Sequence, residues 1–88
     1  MKLTENDKVL LVKWGHSESD FSQIEEAMKK NKTKYRLEGS SVSREEAINL
    51  LGHKEYLSGI ARSAFHCTAA RETPDGKFII FDSSNLFR

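Results

Sequence analysis

The stretch SREEAINLLGHKEYLSGIARSAFHCTAARETPDGKFIIFD, residues 43–82, decides the fold: it sets two helices and a β-hairpin end to end with no linker between them. Ser43 and Glu46 stand at capping-box spacing, in which the hydroxyl takes the amide of the third helical residue and the carboxylate returns to the cap amide. Val42 occupies the staple position before the cap and can pack toward Ala47. Ala47, Ile48, Leu50 and Leu51 supply the buried surface, and Gly52 lets the chain turn. A second helix follows at once from His53 to Arg62, with Tyr56, Leu57, Ile60 and Ala61 at helical spacing. Gly59 weakens that helix by up to about 1 kcal/mol relative to alanine, which implies close packing that wants a missing side chain.

At Ala64 the period changes. Phe65, Cys67 and Ala69 take one face and His66, Thr68 and Ala70 the other, the alternation of a strand. Thr73-Pro74-Asp75-Gly76 is a turn, since proline presets the first corner and Asp-Gly accepts the second. Lys77 to Phe81 is then the returning strand, and the expected hairpin pairs 64–72 with 77–82.

Toward the N-terminus, Asp20 or Ser19 can cap a helix whose Phe21, Ile24, Ala27 and Met28 share a face opposite Glu25, Glu26, Lys29 and Lys30. Asn31 ends it, and Tyr35-Arg36-Leu37-Glu38 alternates as a short strand before Gly39. Residues 4–14 read two ways. Thr4 and Asp7 stand at capping distance ahead of the stripe Leu3, Leu10, Leu11 and Trp14, with Gly15 as a stop; against this, Val9-Leu10-Leu11-Val12 has the enrichment of a short strand. The capping pattern favours the helix. The expectation is therefore a small single α+β domain spanning residues 1–88, in the order helix, strand, helix, helix, β-hairpin, with an ambiguous additional N-terminal helix.

Hydrophobic residues make up 38% and charged residues 31%, the balance of a folding chain and not of a disordered tail. Fourteen Lys and Arg against 13 Asp and Glu leave no bulk charge to capture a polyanion, so the distribution of charge must carry any such argument. Lys29, Lys30, Lys32, Lys34 and Arg36 form one basic run, most simply read as a solvated face. Cys67 is the single cysteine, which excludes an internal disulfide and a multi-thiolate metal site and suits a reducing, cytoplasmic setting. The N-terminus lacks a secretory pattern, and the longest apolar run, Val9 to Val12, is too short to span a membrane.

No chemical constellation reaches the specificity of an active site. His66 and Cys67 are neighbours on a strand and should diverge, and His16, His53 and His66 match no compact metal motif. Glu46 is committed to capping beside Glu45, Asp82-Ser83-Ser84 reads as a terminal turn, and no glycine-rich phosphate loop exists. No enzymatic activity, cofactor or metal is expected. Trp14 and Phe87, if exposed, would mark a protein interface, while Leu86-Phe87 can otherwise close the core as an apolar plug.

The pattern Ser-Arg-Glu-Glu-Ala-Ile-Asn-Leu-Leu-Gly at 43–52, within residues 34–82, resembles excisionase-like and MerR-like winged helix-turn-helix DNA-binding proteins. That resemblance implies that helix 53–62 enters the major groove and that the wing, Thr73 to Lys77, touches the flanking backbone. It places Lys54, Tyr56, Ser58 and Arg62 outward as nucleic-acid-binding residues, with Arg71 and Lys77 flanking them. Glu55 and Asp75 oppose the fit electrostatically, so a monomer would bind weakly and a weak homodimer would repair this by presenting two reading helices. More loosely, Tyr56 to His66 together with Phe81-Asp82-Ser83-Ser84 looks like small proteins of gut-type anaerobic Firmicutes and their mobile elements, which implies an accessory role without an activity. The expected partner is double-stranded DNA. The alternative is a protein-interaction module with no nucleic-acid role, using a hairpin edge or the N-terminal aromatic surface.

Overall fold

The computed structural model describes residues 2–30, 34–65 and 68–82. The expectations placed on Asn31, Lys32, His66, Cys67 and residues 83–87 lie outside these. Four helices and four strands follow in the order α1 (Glu5–Lys13), α2 (Glu18–Lys30), β1 (Lys34–Leu37), β2 (Ser40–Val42), α3 (Arg44–Leu51), α4 (His53–Ser63), β3 (Ala69–Glu72) and β4 (Phe78–Asp82). The protein is a small α+β domain. Among the described residues no helix is long and apolar enough to cross a membrane.

Residues 4–14 resolve as a helix because both ends are closed by local bonds. Thr4 Oγ1 accepts from the Asp7 amide and Asp7 Oδ2 accepts from the Thr4 amide, each at 3.1 Å. At the far end the His16 amide reaches the Leu11 carbonyl and the Gly15 amide reaches Val12, the paired bonds of a Schellman stop. The β-branched run survives inside this helix with Val9 and Val12 outward, 58% and 57% exposed, and Leu11 fully buried. α2 starts earlier than expected. Ser17 stands before it, and Asp20 Oδ2 accepts the Ser17 amide at 3.1 Å, so Asp20 closes the first turn from within the helix.

The sheet is antiparallel, with strand order β2-β1-β4-β3. β2 was not anticipated. Glu38 and Gly39 both adopt positive φ, 52° and 87°, the geometry of a two-residue hairpin turn, which folds Ser40–Val42 back onto β1 with Tyr35 opposite Val42. β1 then pairs with β4, Tyr35 opposite Phe81, and so joins the two hairpins into one sheet. The strand expected from Ala64 begins instead at Ala69: α4 runs through Ser63, and Ala64 still has helical backbone angles and donates to Ile60.

Alternation along the strands sends Tyr35, Ala69, Ile79 and Phe81 inward, where α4 packs against them. α4 is the axis of the core. It touches α1, α2 and α3 as well as the sheet, and Tyr56, Leu57, Ile60 and Ala61 are all at most 1% exposed. Tyr35, Tyr56 and Phe81 form an aromatic cluster with ring centroids 5.5 to 5.8 Å apart, and the two tyrosine hydroxyls bond each other at 3.0 Å. The opposite face of the sheet carries exposed Lys34, Arg36, Ala70 and Glu72, with Phe78 51% exposed beside half-buried Ile80. On that face Arg36 pairs with Asp82 at 2.9 Å.

Candidate functional site

α3 and α4 meet at Gly52, whose φ of 86° breaks the helix without a loop, and α4 is followed by the β3–β4 hairpin. The element order expected of residues 43–82 is present, but α4 lies mostly inside. Its free surface is a strip on which Lys54, Ser58 and Arg62 recur every fourth residue, with Glu55 beside them. Tyr56 does not belong to that strip, and its expected outward placement is corrected: it is fully buried against Phe81 and Tyr35. Burial, and then the hydrogen bond to Tyr35, push the Tyr56 phenol well above its ordinary pKa, so it stays neutral.

Ser58, Arg62 and Arg71 converge on one cleft of about 270 Å³ and are joined there by Trp14 and His16. Arg71 enters from β3. Its Nε and Nη2 both donate to Ser58 Oγ, at 3.0 and 2.5 Å, and its Nη1 donates to the Ala70 carbonyl at 2.6 Å. These bonds hold the guanidinium against α4, and among the described residues only the Glu55 carboxylate, 3.9 Å from Nε, forms an ion pair with it. Arg62, one turn beyond Ser58, is exposed and makes no ion pair among the described residues.

The turn between α1 and α2 supplies the other wall. Trp14 caps α1 and is 37% exposed, with no ring partner among the described residues. His16 is held in place by Asp20 Oδ2, 3.2 Å from its Nδ1, and by stacking on Phe65 at 5.7 Å. From sequence, Trp14 marks a protein interface if exposed and His16 fits no metal motif; neither is expected beside Ser58, Arg62 and Arg71. They reach the cleft from a turn more than forty residues before Ser58, and no linear spacing signals that meeting.

Lys54 and Lys77 do not line the cleft. Lys54 lies on the first turn of α4, and Lys77 closes the β3–β4 turn, where its amide donates to Thr73 Oγ1. That turn borders a second hollow lined by Leu51, Glu55, Glu72, Thr73 and Pro74, whose acids make the expected wing a poor phosphate contact. A third hollow, of about 420 Å³, lies between β1, β2 and the start of α3, with Glu45 set among Lys34 and Arg44. Among the described residues no group of three His, Cys, Asp or Glu is gathered to hold a metal.

The Arg62–Arg71 cleft can therefore take an anion, with an indole beside it for a flat apolar group. Comparison with protein-family models, curated proteins and solved structures finds no match to this chain.

Proposed function

We propose that this chain is a non-enzymatic accessory protein of the cytoplasm that binds nucleic acid by its phosphates, with Arg62 and Arg71 as the anchors. The observation that supports this reading is the convergence of Ser58, Arg62 and Arg71, from two elements, on one cleft. Arginine suits phosphate because its planar fork donates two parallel bonds. Lys54, two turns before Arg62 on the same strip, extends the positive track along the α4 surface. With so few cations the affinity of one copy is low and depends steeply on salt, and a homodimer would double the number of phosphates engaged.

The test is fluorescence anisotropy of a labelled nucleic acid at several salt concentrations, comparing wild type with Arg62→Gln. The variant binds more weakly at low salt and loses about one phosphate's worth of salt slope. Identical curves for the two proteins refute the reading. A protein partner is the second reading, supported by the uncovered outer face of the sheet, where Phe78 is 51% exposed next to Ile80.

A further inference from the structure

Phosphate anchoring does not account for Trp14. An exposed indole closing a wall of an arginine cleft is positioned to do something a lysine patch does not, namely to cover the face of a flat ring. Within a duplex the bases cover one another's faces, so an indole on the protein surface reaches only an unpaired base.

The donors beside Trp14 suit one phosphate. Arg71 has five N–H groups, of which three are engaged with Ser58 and Ala70, leaving two on a guanidinium that is already immobilised. The Ser58 hydroxyl accepts twice from Arg71 and retains its own proton to donate. Arg62, without an ion pair among the described residues, is available to close on the same anion.

Resting on the phosphate-binding reading above, we infer that the cleft holds an unpaired nucleotide of single-stranded nucleic acid, its phosphate on Arg62, Arg71 and Ser58 and its base stacked on Trp14. The cleft's small volume, about 270 Å³, suits one nucleotide and not the width of a duplex. DNA and RNA share this chemistry, since the base and the phosphate are common to both.

Trp14 is the single tryptophan of the chain, so its emission reports the site directly. The experiment titrates the full chain with a short oligothymidylate, an oligouridylate and a blunt-ended DNA duplex, following Trp14 fluorescence and, in parallel, anisotropy of labelled nucleic acid. Saturable quenching by either single strand and not by the duplex is expected. Trp14→Ala should weaken single-strand binding by roughly five- to a hundredfold in anisotropy, and Trp14→Phe, which keeps a stacking ring, should restore most of it.

Single-strand affinity unchanged in Trp14→Ala, or equal quenching by duplex and single strand, overturns the inference. If the duplex binds in an Arg62-dependent manner while Trp14 emission stays silent to every ligand, the stacking inference falls and the phosphate reading stands. If neither duplex nor single strand binds at low salt, both fall.

Discussion

Gly59 faces the ring of Phe81 so closely that a Cβ on it would stand 2.3 Å from Phe81 Cε1. This contact brings the central helix down onto the central strand, and it explains a glycine in the middle of an otherwise good helical sequence. The ring has nowhere to retreat, because Tyr35 and Tyr56 flank it and it is fully buried.

Gly59→Ala should therefore destabilise the protein although alanine is the better helix former. The gain of about 1 kcal/mol in helix propensity is outweighed by overpacking, for a net loss of about 2 kcal/mol in a denaturant titration. Combining it with Phe81→Leu, which removes the clashing ring atoms, should cost less than the sum of the two single changes. A Gly59→Ala variant as stable as wild type contradicts the contact.

The Tyr56 phenol sets an alkaline limit on stability. Its pKa is raised in the folded state by burial and by the bond to Tyr35, so the contribution is complete below the ordinary tyrosine value near 10 and is lost as pH rises beyond it. Above that point the unfolded chain releases a proton that the folded one keeps, and the unfolding free energy should fall by about 1.4 kcal/mol per pH unit from this group. Tyr56→Phe should flatten that part of the profile measured by urea unfolding, while costing about 1 kcal/mol at neutral pH by leaving the Tyr35 hydroxyl without its partner.

Asp7 ties the first turn of α1 to the first turn of α4. It is 3% exposed, closes the capping box with Thr4, and accepts a bond from His53 Nε2 at 2.9 Å. Asp7→Ala removes both ties and should cost about 2 kcal/mol, seen as a fall in Tm of roughly 10 °C. His53→Ala keeps the cap and removes only a half-exposed partner, so its effect should be less than half as large.

The parts of this fold that were legible in the sequence are those specified by near neighbours. Ser43 with Glu46, Thr4 with Asp7, and Pro74-Asp75-Gly76 each encode their element within a few residues, and the structure places a helix start or a turn at each. β2 escaped because Ser40-Ser41-Val42 has no apolar alternation, and Glu38-Gly39 is a weaker hairpin signal than Asn-Gly or Asp-Gly. Ala64 to Thr68 alternates like a strand, yet its first residues complete the last turn of α4, where Gln23 Nε2 bonds the Ala64 carbonyl.

The cleft was half legible. Ser58 and Arg62 sit four apart on one helix, so their shared face follows from spacing alone. Tyr56 was misplaced because the winged helix-turn-helix resemblance set it on the outward strip, whereas helical spacing already groups it with Ile60 and with Leu57, both buried. Arg71, Trp14 and His16 arrive from other elements, and only the packing of α1, α4 and β3 brings them together.

β1 (Lys34–Leu37) and β4 (Phe78–Asp82), the two inner strands, stand far apart in the chain, and their pairing joins the two hairpins. A ribosome that has released everything up to Lys77 has produced four helices but no completed sheet for α4 to rest on. Assembly must therefore wait for the last strand to emerge, and until then the apolar flank of α4 is exposed to whatever else the cell holds.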